Sequence, residues 1–296
     1  MTRVLIAATL ALSLALPASA QSFDDLQALG FQSIAALSDA PNAVSGPSGE
    51  NSSPRRWSSA EGVNIYSDLA DPIKDPKDED KIELDGKTLW RGTQVNKGET
   101  VEITEERSDG WTHVNIPTQN YSGWVRTELI ARDSNLAGSF RQVEVPERNP
   151  NDKLDPARDA FLKETQKLEG VPYVWGGRSP RGVDCSGLVQ LAFSYIGMGN
   201  QVPRTAHEQR LKSKPVDKLQ PGDLVFSAKG GSSKISHVMI YIGNNQLREA
   251  PKTGDVVKTV NASGRLGVNL ESLKIDKGAG MNAGRYTLYF GTYFQD

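Results

Sequence analysis

From residue 185 to 196 the chain is apolar around most of a helical circumference. Leu188, Val189, Leu191, Ala192, Phe193 and Ile196 leave little face for water. A helix of that kind has to be buried, and that requirement constrains what surrounds it. An earlier helix is signalled by Asp155 as N-cap and Pro156 at the first helical position. Ala157, Ala160, Phe161, Thr165 and Leu168 follow at helical spacing, with Gly170 just past the end. After residue 196 the signals are for strands, over 224–226, 237–242, 246–250, 256–260 and 286–294. Helices first and antiparallel strands after them predict an α+β domain over residues 155–296.

A different pattern occupies residues 57–132. Val63-Asn64-Ile65-Tyr66, Thr100-Val101-Glu102-Ile103, Trp111-Thr112-His113-Val114 and Gly123-Trp124-Val125 are short β-rich runs separated by turns such as Asp109-Gly110. An acidic, lysine-rich stretch at 71–85 separates the first two and reads as a solvated loop. Several short strands in so little chain predict a small β-barrel. These runs resemble a bacterial SH3-like domain: 62–67 is similar to its opening strand, 98–101 and 110–114 to its middle strands, and 123–125 to its closing one. The resemblance implies a module that binds wall polymers or borders an active site, with a structural spacer as the alternative. Residues 133–154, with Pro146, Asn149, Pro150 and Asn151 among charges, read as a linker to the second domain.

The N-terminus bears on compartment. Arg3 gives a short positive region, residues 4–16 are almost wholly apolar, and Pro17-Ala18-Ser19-Ala20 supplies the small-residue pattern that a signal peptidase reads. The apolar run is shorter than the roughly 20 residues needed to cross a bilayer. The expectation is therefore a cleaved leader at 1–20, no transmembrane anchor, and a secreted or periplasmic protein. Residues 21–56 read as an N-terminal segment, with a loosely amphipathic stretch at 23–37 and a Ser/Gly/Pro/Asn-rich linker at 42–55. Loss of Arg3 with the leader takes the formal net charge from −2 to −3. That balance leaves no basic footprint for nucleic acid.

Cys185 is the single cysteine, so it cannot form a disulfide within the chain. A buried structural thiol is one reading, but its position favours chemistry. It follows the turn-like Gly182-Val183-Asp184 and opens the apolar helix, where the positive end of the dipole favours a thiolate. The backbone N–H there has no partner within the helix and is free to donate to an oxyanion. Of the three histidines, His113 falls in the presumed barrel and His207 in a polar, helix-like stretch. His237 opens the strand-like run Val238-Met239-Ile240-Tyr241-Ile242 and is the expected base. An orienting group follows from hairpin register. A loop centred on Gly243 pairs His237 with Glu249, whereas a two-residue turn at Asn244-Asn245 pairs Ile240 with Glu249 and sends it to the opposite face. The chemistry favours the first register, because Glu249 then fixes the imidazole tautomer. Cys185 with scattered histidines matches no zinc-ligand spacing, so neither metal nor cofactor is expected.

The motifs of 155–296 resemble the NlpC-type, papain-like cell-wall cysteine peptidases. They are Tyr173-Val174-Trp175-Gly176-Gly177, Asp184-Cys185-Ser186-Gly187-Leu188-Val189-Gln190, Pro203-Arg204-Thr205-Ala206, Leu219-Gln220-Pro221-Gly222-Asp223-Leu224-Val225-Phe226 and His237-Val238-Met239-Ile240-Tyr241-Ile242-Gly243. The resemblance implies hydrolysis of peptidoglycan stem peptides, commonly between γ-linked D-glutamate and a diamino acid, by Cys185, His237 and Glu249. Many relatives carry His at the third position; others carry Glu followed by Ala-Pro, as in Glu249-Ala250-Pro251. It also implies Tyr173 near the oxyanion or the substrate amine, and Asp184 and Ser186 lining the substrate pocket. Asp184 is equally placed to cap the helix that starts at Cys185. Two other functions remain open from sequence: an amidase or acyltransferase using the same Cys-His pair, and a non-catalytic wall-binding protein. An unrestrained wall hydrolase endangers its own cell, which points to control by residues 21–56 or by a regulatory partner.

Overall fold

The computed structural model describes residues 54–295, apart from residues 69, 71, 73–76, 150 and 231. The expected leader at 1–20 and all of the N-terminal segment before residue 54 lie outside the described residues.

The N-terminal part is an SH3-like antiparallel sheet of eight strands: β1 (Arg55–Ser58), β2 (Val63–Ser67), β3 (Lys81–Leu84), β4 (Lys87–Val95), β5 (Thr100–Glu106), β6 (Trp111–Ile116), β7 (Tyr121–Arg126) and β8 (Ile130–Ala131). Their spatial order is β3-β4-β2-β7-β6-β5-β1-β8. Alternate residues point the same way along a strand, so Val63 and Ile65, Val101 and Ile103, and Val114 and Ile116 meet in one buried cluster. The stretch expected as a solvated loop carries β3, because Ile82 and Leu84 alternate and pair against Leu89 and Lys87 of β4. Sequence patterning does not reveal β4 itself. Its buried positions include Arg91 and Thr93 as well as Leu89 and Val95, since the polar pair faces the second domain rather than a hydrocarbon core.

The second domain opens with helix α1 (Pro156–Lys167), whose N-cap Asp155 accepts from Ala157 N at 2.9 Å and Arg158 N at 3.3 Å. A short ribbon, β9 (Arg178–Ser179) and β10 (Gly182–Val183), leads into α2 (Cys185–Tyr195), followed by α3 (Ala206–Lys212). Every residue of α2 is buried, and complete burial of each Leu, Val or Phe side chain contributes about 1.5–3 kcal/mol. The Phe161 and Phe193 rings stack 4.2 Å apart between α1 and α2. The remaining strands are β11 (Lys214–Pro215), β12 (Leu224–Lys229), β13 (Ile235–Gly243), β14 (Gln246–Glu249), β15 (Lys258–Asn261), β16 (Met281–Ala283) and β17 (Tyr286–Thr292), with helix α4 (Ala262–Leu266) after β15. They form an antiparallel sheet ordered β11-β17-β12-β13-β14-β15, with β16 on β17. The buried pair Arg158–Asp223, at 2.6 Å, ties α1 to the start of β12. The α+β class and papain-like order, helices before an antiparallel sheet, are as the sequence predicts. Strand β15 begins two residues later than expected because Val256 and Val257 pair with Pro172 and Val171 instead.

The two parts belong to one compact unit. Strand β4 and the turn after it lie along residues 175–178. Arg91 Nε donates to the Trp175 carbonyl at 2.9 Å, Arg178 N to Gln94 Oε1 at 3.0 Å, and Asn96 Nδ2 to the Arg178 carbonyl at 2.8 Å. Gly176 makes this approach possible. Its φ is +70°, and a Cβ there would lie 2.5 Å from the Arg91 carbonyl oxygen. The connecting segment also packs: Val143 N donates to the Tyr195 carbonyl at 2.7 Å, and Phe140 stacks on Tyr195.

Candidate active site

Cys185 is the first residue of α2 and is buried. Its N-cap, Asp184, accepts from Gly187 N at 2.6 Å, which satisfies one of the helix's orphan donors. Asp184 also accepts from Gly176 N at 3.0 Å, fixing the Tyr173–Gly177 turn against the helix start. A Cβ on Gly187 would overlap the Gly177 carbonyl oxygen, so this approach requires glycine.

His237 is the third residue of β13, two residues further into the strand than the sequence pattern predicts. Its Nε2 lies 2.6 Å from Glu249 Oε2 on β14, and Cys185 is close enough to the same ring to act on its charge. With Nε2 engaged by Glu249, Nδ1 is the nitrogen left for the thiol. Burial disfavours the imidazolium, but the charge and hydrogen bond of Cys185 and the contact with Glu249 outweigh it and raise the His237 pKa to about 9. Glu249 is 1% exposed. Burial alone would push its carboxyl up; hydrogen bonds from His237 and Arg265 reverse the balance and hold it below the ordinary range. Arg265, on α4, grips both oxygens, Nε to Oε1 at 2.7 Å and Nη2 to Oε2 at 3.1 Å. The adjacent residue Arg248 turns the other way, to Glu169, Thr165 and the Leu162 carbonyl.

The hairpin register differs from both alternatives read from the sequence. Asn244 and Asn245 form the two-residue turn, both with positive φ, and Gly243 faces Gln246. Tyr241 nonetheless pairs with Leu247 and Ile240 with Arg248, leaving Ile242 as an extra residue in β13. The slip restores the parity that puts His237 and Glu249 on one face.

The other expected pocket residues are placed as follows. Ser186 is buried and donates to Asp184 Oδ1 at 3.2 Å. Arg204, 2% exposed, binds Asp184 through Nη1 at 3.0 Å and Nη2 at 2.7 Å, and reaches Ser186 Oγ at 2.9 Å. Both side chains are thus engaged in the wall beneath the helix start. Tyr173 lies near Asp184 and Cys185; burial first, then those two charges, push its phenol well up, so that it stays a hydrogen-bond donor. His113 contacts Thr104 and the edge of Trp124 in the SH3-like sheet. His207 Nδ1 accepts from Ile235 N at 3.3 Å on α3. Arg204 and Arg265 have no assigned part in the sequence reading. Arg204 stands inside a recognisable motif, whereas nothing in the local pattern around Arg265 marks it. Among the described residues no group of three or more His, Cys, Asp or Glu side chains is arranged to hold a metal, and no described helix is long and apolar enough to cross a membrane.

The SH3-like sheet reaches this site. Arg204 Nε donates to Thr93 Oγ1 of β4 at 2.9 Å, so the residue that fixes Asp184 is itself fixed by the first domain. Trp175, held through its carbonyl by Arg91, is 40% exposed.

Fold and site together define a papain-like α+β domain carrying a Cys-His-Glu cluster, joined to a bacterial SH3-like domain. The second domain matches the NlpC/P60 family model over residues 170–267, and residues 91–130 match the bacterial dipeptidyl-peptidase SH3 domain. Over 100 residues, 32% of the chain, it is 42% identical to the bifunctional muramidase/DL-endopeptidase CwlT of Bacillus subtilis, covering 30% of that protein. Over 116 residues, 38% of the chain, it is 36% identical to the murein DD-endopeptidase MepH of Escherichia coli, covering 42% of it. It is 34% identical over 116 residues, 38% of the chain, to the gamma-D-glutamyl-L-lysine dipeptidyl-peptidase of Bacillus cereus, covering 34% of it. The chain therefore spans less than half the length of these relatives. A crystal structure of an NlpC/P60 family protein from Bacillus cereus shares the fold over 70% of this chain and 94% of its own, with a TM-score of 0.52 and 20% identity.

Proposed function

We propose that this chain is an exported cysteine endopeptidase that hydrolyses peptidoglycan stem peptides, at the bond between γ-linked D-glutamate and the diamino acid. The observation that carries the reading is the contact of His237 Nε2 with the buried Glu249 carboxylate at 2.6 Å, with Cys185 close enough to the same ring to raise its pKa. The choice of bond draws support from the dipeptidyl-peptidase type of the SH3 match and from the gamma-D-glutamyl-L-lysine dipeptidyl-peptidases among the relatives. Export rests on the leader-like pattern at 1–20.

In this mechanism His237 holds the proton of Cys185, and the thiolate sulfur attacks the peptide carbonyl carbon. The Cys185 N–H and the Tyr173 hydroxyl donate to the oxyanion. The imidazolium gives its proton to the leaving amine as the C–N bond breaks, leaving a thioester. Water, deprotonated by His237, attacks the thioester and releases the new carboxylate and the thiol. Glu249 holds the ring in one tautomer throughout. Asp184, Ser186 and Tyr173 form the wall on which the stem peptide lies, and the SH3-like domain shapes that wall through Arg91 and Thr93.

Digestion of purified peptidoglycan and of free stem peptides by the leaderless protein, beside Cys185→Ala, tests the proposal by mass spectrometry. Fragments ending in D-glutamate and beginning with a free diamino acid, from the unsubstituted protein only, are expected. No product from the folded, reduced protein on either substrate would overturn it.

A further inference from the structure

Arg265 takes no part in any reacting bond, yet among the described residues it makes two of the three hydrogen bonds that reach the Glu249 carboxylate. One ion pair runs from Nε to Oε1 at 2.7 Å and a second contact from Nη2 to Oε2 at 3.1 Å, while Oε2 also meets His237 at 2.6 Å. The forked guanidinium fixes the plane of the carboxylate as well as its charge, which a single point cation does not. We propose that Arg265 is a positioning residue for the Cys185–His237 pair, holding Glu249 turned toward the imidazole, and negatively charged, through both halves of the reaction.

This role for Arg265 rests on the catalytic reading of Cys185, His237 and Glu249. In that cycle His237 alternates between imidazolium and imidazole. While it is charged, Glu249 has two cationic partners; once the proton has gone to the leaving amine, only Arg265 remains. A carboxylate that is 1% exposed is costly to keep ionised without a cation beside it. If it took up a proton at that stage, it would present a donor where the ring needs an acceptor. A permanent cation prevents this.

The other charged and titratable groups around the cluster do not supply a substitute. Cys185 faces the ring from α2, with Tyr173 and Asp184 beyond it, and Asp184 is committed to Arg204. Lys258, opposite Glu249 on β15, directs its amine to Asp255 at 2.6 Å. From β17, Tyr286 packs against Arg265, and Arg285 lies over the same ring.

The test compares the leaderless protein with Arg265→Gln, Arg265→Lys, Glu249→Gln and the double variant Arg265→Gln/Glu249→Gln, each checked for folding by circular dichroism. Two readouts are taken against pH: kcat/KM on a stem peptide, and the rate at which iodoacetamide alkylates Cys185, which needs no substrate. Arg265→Gln is expected to lower kcat/KM by up to about 100-fold, the scale of a small misplacement at a reacting centre. It should also move the acid limb of both profiles to higher pH, because Glu249 then takes up a proton more readily. Arg265→Lys, which keeps the charge but not the fork, should return the limb to its original pH and only part of the rate. In the Glu249→Gln background the loss of Arg265 should change neither readout appreciably, as expected of residues acting through one another. An equal loss in both backgrounds with an unmoved limb, or a full rate from Arg265→Lys, would overturn the proposal. If the unsubstituted protein cuts no stem peptide while the alkylation profile still moves as described, the peptidase reading fails and the role of Arg265 stands.

Discussion

His237 and Glu249 meet at 2.6 Å because β13 contains one residue, Ile242, that β14 does not oppose. A strict ladder continued from the Asn244-Asn245 turn would set Ile240 against Glu249 and send the carboxylate to the far face. The observed ladder sets Ile240 against Arg248, so Arg248 turns to α1 while Glu249 stays with the imidazole. One unopposed residue thus decides which of two neighbouring side chains orients the ring.

Glu249→Gln tests the charge at this point while keeping the shape. The amide can still hydrogen-bond the ring, but it cannot stabilise an imidazolium, and it leaves Arg265 without a counter-ion. We expect kcat/KM on a stem peptide to fall by about 10²-fold or more, the usual scale of acid–base assistance. KM should change little, because Glu249 is 1% exposed and out of reach of substrate. Steady-state kinetics at a single pH distinguish this from a binding defect.

The titration of His237 gives a second test. Its pKa in the folded protein, about 9, lies above its ordinary 6.5. Its protonated form therefore stabilises the fold fully below about pH 6.5, and that contribution is lost as pH rises through about 9. Cys185 is the largest of the influences that raise it, and burial opposes them. In Cys185→Ala the midpoint should fall, and the imidazole NMR titration of the two proteins should show a lower value in the variant. An unchanged midpoint would mean that Glu249 alone sustains the imidazolium.

Much of this site is legible in sequence because its chemistry sits at places that local rules mark. Asp155 and Asp184 announce helix starts, an apolar run announces the buried helix, and the thiol at its head needs no long-range information. His237 is readable as the proposed base because the core-strand pattern of residues 238–242 begins beside it. The pairing of His237 with Glu249 is only half readable. The asparagine turn is visible, but the bulge at Ile242 depends on tertiary fit. Strand β4 escapes pattern reading for the opposite reason: Arg91 and Thr93 occupy buried positions that in a free-standing sheet would be apolar, since their partners are Trp175 and Arg204. Arg265 has no local signature, because its partner lies 16 residues back on another element.

Arg204→Met isolates the buried support beneath Cys185. Arg204 is 2% exposed and makes a two-pronged contact with Asp184. Removing the guanidinium leaves a carboxylate that still caps α2 but has no cation, a situation that costs about 3–5 kcal/mol. Urea unfolding should show the midpoint falling with little change in slope. Arg204→Met with Asp184→Asn should recover part of the loss, because the amide carries no charge to strand.

Gly176→Ala probes the closeness of the two domains. At φ +70° an alanine is strained, and its Cβ would fall 2.5 Å from a backbone oxygen of Arg91 that cannot swing aside. Strain of this kind costs about 1–3 kcal/mol. Because Gly176 N also donates to Asp184, the cap of the Cys185 helix, at 3.0 Å, kcat/KM should fall together with stability. A stable variant with full activity would show that the 173–177 turn tolerates separation from β4.

Arg178→Ala asks whether the SH3-like and papain-like parts unfold as one. The Arg178 guanidinium, buried at the junction, binds Glu99 of the first domain at 2.8 Å and Ser194 of α2 at 2.7 Å. Glu99 is itself buried, and it also accepts from Asn96 N at 2.7 Å, so its charge has no route to water when the arginine is removed. About 3–5 kcal/mol should be lost, a large fraction of the roughly 5–15 kcal/mol that holds a typical protein folded. With Trp175→Phe introduced throughout, the remaining tryptophans, Trp57, Trp90, Trp111 and Trp124, report on the first domain and the imidazole NMR signal of His237 on the second. In the unsubstituted protein both should disappear at one urea concentration, and in Arg178→Ala both should move down together. If the tryptophan signal shifted while the His237 signal held its place, the first domain would be a separately stable attachment, and its contacts through Thr93 and Arg91 would not be needed to keep the Cys185 helix in position.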